Sequence, residues 1–81
     1  MRIDKYLKIS RLIKRRTVAK EACDQGRVSI NENVVKAGAE VSVGDIVTLE
    51  FGTKEVKIRV LDIKEHVKKE MAKDMFEIIE G

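Results

Sequence analysis

Ten side chains in the first third of the chain have the chemistry to hold an anion: Arg2, Lys5, Lys8, Arg11, Lys14, Arg15, Arg16, Thr17, Lys20 and Arg27. A guanidinium forks onto two phosphate oxygens, so the adjacent Arg15 and Arg16 offer directed bonds as well as charge. Thr17 fits the N-cap of a helix, whose open N–H groups and positive dipole end would favour an anion held beside Arg16. Asp4 is the one acid among the first twenty residues. A carboxylate amid so many cations is better suited to orienting an arginine or lysine than to meeting the ligand. Other chemistry is poorly supplied. Cys23 and His66 are each the only residue of their type, so no metal-ligand cluster can form around them, and Cys23 is expected to be a buried apolar residue. Asp62, Glu65 and Asp74 do not form a catalytic pair. No cofactor, no metal and no enzymatic activity are expected.

Periodicity indicates the elements that position these groups. Ile3, Tyr6 and Leu7 make one apolar stripe of a short helix over 2–9, with Arg2, Lys5 and Lys8 off that stripe. Tyr6 is expected to pack beneath the helix rather than stack on a base. Residues 10–16 are a basic connection with Leu12 and Ile13 as anchors. A second helix spans 18–25, with Val18 and Ala22 inward beside Ala19 and Cys23, and Gly26 stops it. The pattern then alternates in the manner of half-buried strands. Val28 and Ile30 lead to a turn at 31–33, which Asn31 is expected to serve. A Val43-Gly44-Asp45 turn precedes Ile46–Phe51, and Gly52-Thr53-Lys54 links it to Val56–Val60. Val67, Met71, Met75 and Ile78 predict a tail helix over about 65–79. Met71 and Met75 would fill the core, His66 would lie on the surface, and Lys69 would stand away from the basic cluster. The architecture expected is α+β: two short N-terminal helices on a small, mainly antiparallel sheet (residues 1–64), with a C-terminal helical tail (65–81).

The 81 residues suit one domain, and the 43% hydrophobic share is enough for a small core. The net charge of +3 understates the polarity of the chain. Residues 1–20 hold eight basic groups and one acid, while residues 21–81 hold nine and thirteen, so +7 faces −4. Such a chain presents a basic face to an anionic partner. A lone cysteine fits a reducing cytoplasm. No apolar run approaches membrane-spanning length, and charges interrupt any leader-like segment.

The order of these features resembles the S-four RNA-binding domain family. The resemblance is carried by Arg2-Ile3-Asp4-Lys5-Tyr6-Leu7, Ser10-Arg11, Arg16-Thr17-Val18-Ala19-Lys20, Gly26-Arg27-Val28-Ser29-Ile30-Asn31 and the Val43-Gly44-Asp45 turn, and it covers residues 1 to about 51. Leu12–Thr17 and Ala19–Ala22 look like the ribosome quality control branch of that family, the RqcP-type factors, to which small ribosome-binding heat-shock proteins are related. The resemblance implies recognition of a large ribosomal subunit still obstructed by peptidyl-tRNA. It implies contact with large-subunit rRNA and tRNA together, and support for an RqcH-type factor that adds C-terminal alanine tails. A cytoplasmic monomer with no membrane partner is expected. The alternative is a general structured-RNA or DNA-binding protein with no role in quality control. An enzyme with an RNA-recognition module would need a second domain, and a membrane-surface protein would need a bulkier apolar helix face.

Overall fold

The computed structural model describes residues 1–81. Two α-helices, α1 (Ile3–Ile9) and α2 (Arg16–Asp24), precede a five-stranded antiparallel sheet. Its strands are β1 (Val28–Ile30), β2 (Asn33–Val34), β3 (Ile46–Phe51), β4 (Lys54–Val60) and β5 (Phe76–Glu80), in the spatial order β2-β1-β3-β4-β5. The α+β architecture therefore stands as expected from the sequence.

The stripe on α1 is buried as its spacing requires: Ile3, Tyr6 and Leu7 are all 0% exposed. They join Ala19 and Cys23 from α2 and Val28, Val47, Leu49, Ile58 and Val60 from the sheet in one core. The entrance to α1 is closed by the chain itself. Ile3 N–H donates to the Ala39 carbonyl (2.8 Å), Asp4 N–H to the Ala37 carbonyl (3.4 Å) and Lys5 N–H to Asp4 Oδ1 (2.8 Å). Three of its orphan donors are thus satisfied.

At the far end of α2, Gly26 takes φ +75°, with Gly26 N–H on the Cys23 carbonyl and Arg27 N–H on that of Ala22. This is a Schellman stop, and it turns the chain into β1. Asn31 and Glu32 both adopt positive φ in the two-residue turn between β1 and β2. Asn31 Nδ2 donates to Asp45 Oδ1 and Asn31 Oδ1 accepts from Ile46 N–H, so this side chain ties the turn to the start of β3.

Three expectations are corrected. Arg15, not Thr17, is the residue before α2, and it makes no side-chain cap; Thr17 lies inside the first turn. The buried face of α2 falls on Ala19 and Cys23, one helical turn apart, and Val18 is left 46% exposed on the side away from the core. The tail is not a helix over 65–79. It is a short 3₁₀ segment at Lys69–Met75, followed by β5 paired with β4. Three residues per turn put Ala72 and Met75 on the buried side and leave Met71 exposed. Phe76–Glu80 become strand because β4 would otherwise present an unpaired edge. The tail docks on the domain: Tyr6 Oη donates to the Met75 carbonyl at 2.8 Å in the core.

Candidate nucleic-acid interface

The start of α1 and the start of α2 bring basic residues together. At their centre is Asp4, whose carboxylate is 3% exposed and meets two arginines. Arg2 Nε lies 3.3 Å from Oδ1, and its Nη2 donates to Oδ2 at 3.3 Å. Arg16 Nε lies 3.4 Å from Oδ2, and its Nη2 donates to Oδ1 at 3.5 Å. One buried carboxylate therefore holds a guanidinium from before α1 beside one from the start of α2. Both arginines remain about half exposed, at 50% and 47%. Each guanidinium has five N–H donors, and two face Asp4, so the rest are free to meet a ligand. Two cations on one anion leave a local charge of +1, already oriented. Asp4 thus acts as the orienter that its place in the sequence indicates.

The first-turn N–H groups of α2, those of Arg16, Thr17 and Val18, find no acceptor within the protein. They open next to the same arginine pair, so directed donors, charge and dipole converge there. Lys14, Arg15 and Lys20 are exposed around this point and form no ion pair. Lys20 follows Arg16 by one helical turn.

Other candidates are placed differently. Lys5 donates to Glu65, and that bond holds the Glu65 carboxyl below its ordinary range, so this lysine serves the docking of the tail. Arg27 stands beyond the other end of α2, beside Glu50 and Phe51, and is not brought to the arginine pair. Lys8 and Arg11 belong to a neighbouring groove of about 550 Å³ with Lys14. Lys69 lines that same groove, contrary to the expectation that it stands apart from the basic cluster, and so does His66. No sequence signal links residue 69 to residue 11; the fold brings them together by docking the tail beside α1.

Burial removes two other groups from consideration. The Cys23 thiol is buried, and that burial, with the charges of Asp4 and Asp24, pushes its pKa up to about 11, so it carries no thiolate near neutrality. The Tyr6 hydroxyl is pushed above its ordinary range by burial and by the Asp62 charge, and it serves the core. No group of ligating side chains that could hold a metal ion is present.

Residues 1–47 match the S4 domain family. The chain is 53% identical over 78 residues to the RQC P-site tRNA stabilizing factor of Halalkalibacterium halodurans, covering 96% of this chain and 89% of that protein. It is 54% identical over 79 residues to the factor of the same name from Bacillus subtilis, covering 98% and 92%. Among solved structures, a trimeric structure of heat shock protein 15 from Vibrio cholerae superimposes with a TM-score of 0.88 at 26% identity, covering 96% of this chain and 80% of that one. A clamped arginine pair at the open end of a helix, set within a sequence and a fold shared so fully, leads to one assignment: the chain belongs to the S4 domain family, in the branch of the RQC P-site tRNA stabilizing factors.

Proposed function

We propose that this protein is a non-enzymatic RNA-binding factor that recognises large ribosomal subunits obstructed by peptidyl-tRNA and supports an RqcH-type factor in C-terminal alanine tailing. The observation that carries the RNA-binding part is the Arg2–Asp4–Arg16 clamp beside the open N-terminus of α2. A phosphodiester approaching this point meets forked donors and backbone N–H groups that need no rearrangement. The name of the relatives supports the tRNA and quality-control part. Arg2, Arg16 and the Thr17 N–H are the central contacts in this reading, Lys14, Arg15 and Lys20 extend them, and Lys8 and Arg11 follow the backbone further. The protein works in the cytoplasm as a monomer. No helix is long and apolar enough to cross a membrane.

Cell extracts fractionated by density test this reading directly. The protein is expected with free large subunits, and its share there rises when stalling is provoked. An even spread across polysomes, or association with small subunits alone, would remove the quality-control role and leave generic RNA binding.

The contact count sets the salt dependence. With about five or six of these seven cations on phosphates, at a coefficient of about −0.7 each, the log–log slope for binding to purified large subunits is near −4. Titrations at several salt concentrations measure it. A slope near zero would reduce the whole cluster to a solvated face.

A further inference from the structure

The groove that contains Lys69 lies outside the clamp, and half of its wall lies outside the residues matched by the S4 domain. One wall is Lys8, Arg11 and Lys14, from the end of α1 and the connection that follows. The other is Glu65, His66 and Lys69 from the tail. Its volume of about 550 Å³ falls within the range of ligand-binding clefts. Its charge is unbalanced. Glu65 is engaged by Lys5, whereas Lys8, Arg11, Lys14 and Lys69 have no carboxylate partner. Four like charges around one cleft repel each other and weaken the fold unless an anion relieves them.

A second observation points the same way. Arg11 has φ +63°, the left-handed conformation. It occupies the position after the α1 cap at which glycine is the usual residue, and its N–H donates to the Lys8 carbonyl. The chain tolerates a strained backbone there and keeps a long cationic side chain that opens into the groove.

We infer that this groove is a second phosphate-binding site, which holds a stretch of RNA sugar-phosphate backbone between the α1 end and the tail, with Lys69 as its contact from the tail side. The inference rests on the reading of the protein as an RNA-binding factor. The backbone could come from rRNA or from tRNA, since the phosphodiester chemistry is common to both. The tail therefore has a binding role besides its structural one: β5 and the Tyr6–Met75 bond anchor a wall of the RNA site.

Equilibrium binding of the full chain to purified large subunits, with and without bound peptidyl-tRNA, tests this. Lys69→Ala is compared with Lys73→Ala, which removes the same charge from an exposed position outside the groove. Lys69→Ala should weaken binding about three- to fivefold and reduce the magnitude of the salt slope by about 0.7. Lys73→Ala should change affinity by less than about twofold, as expected of a screened surface charge. A loss on both kinds of subunit assigns the groove to rRNA, and a loss only when tRNA is present assigns it to tRNA; both outcomes support the site. Arg11→Gly provides an independent arm. It should weaken binding about tenfold while the melting temperature holds or rises by up to about 5 °C, since glycine relieves the strain. If Lys69→Ala and Lys73→Ala behave alike and Arg11→Gly binds normally, the groove is empty of RNA and the inference falls. Should Arg16→Ala also bind like the unaltered protein, the RNA-binding reading falls with it. A loss for Arg16→Ala alone overturns only the groove.

Discussion

Arg16→Ala is expected to lower affinity for the large subunit by about ten- to a hundredfold, while the melting temperature falls by no more than about 5 °C. The first part follows from where the guanidinium stands. It is the first residue of α2, beside N–H groups with no acceptor, so a phosphate there is held from two sides. A charge-assisted bond of this kind contributes about 1.5–3 kcal/mol. The second part follows from what remains. Arg2 still pairs with Asp4 when Arg16 is gone, so the buried carboxylate is not stranded. The pair that is lost is half exposed on its arginine side, which limits its stabilisation to under about 1 kcal/mol. Lys73→Ala is the matched control. Lys69→Ala is not suitable, because Lys69 lines the cationic groove. Equal losses for Arg16→Ala and Lys73→Ala would show that total charge, not a built site, holds the RNA. A fall in melting temperature well beyond a few degrees would make Arg16 a structural residue first.

The sequence shows the parts of this site more readily than their arrangement. Local rules are sufficient for α1, because Ile3, Tyr6 and Leu7 have a spacing only a helix can bury, and for the stop at Gly26, where a positive φ is needed. They are insufficient at the start of α2. Thr17 has the right chemistry for an N-cap, but Arg16 is drawn into the first turn, where it reaches Asp4 twelve residues earlier. That pull is tertiary, and no window of local sequence contains it. The tail shows the same limit more strongly. Val67, Met71, Met75 and Ile78 fit a helical period, yet the unpaired edge of β4 recruits Phe76–Glu80 as a strand. Long-range pairing overrides a weak local preference there. The placement of the tail is likewise set by long-range contacts rather than by local sequence. Lys5 meets Glu65 across sixty positions, and Lys69 faces Arg11 across fifty-eight. Ion pairs and clefts at such separations depend on the sheet order β2-β1-β3-β4-β5, which returns the end of the chain to α1.

Asp4→Asn separates the two explanations of the basic face most sharply, because they predict opposite signs. The substitution removes one negative charge from the centre of the cluster and nearly preserves shape. If RNA responds only to net charge, the variant binds more tightly and its salt slope steepens. If the carboxylate matters because it aligns Arg2 and Arg16, the variant binds more weakly. Two guanidiniums without their shared anion repel each other and spread, and a phosphate must then reassemble the site as it binds. The aligned reading predicts a loss of about tenfold, together with a fall in melting temperature of about 9–18 °C. That fall corresponds to losing charge-assisted bonds worth about 1.5–3 kcal/mol at a carboxylate that is 3% exposed. Stability alone cannot account for the binding loss if the assay is run well below the melting temperature, where the folded fraction of the variant remains near one. A double-mutant cycle completes the test. If Arg16 needs Asp4 to be held in place, Asp4→Asn combined with Arg16→Ala loses less affinity than the two single losses multiplied together. If the losses multiply fully, the two residues act independently, and Asp4 is then a structural anchor for the start of α1 rather than the residue that sets the arginine pair.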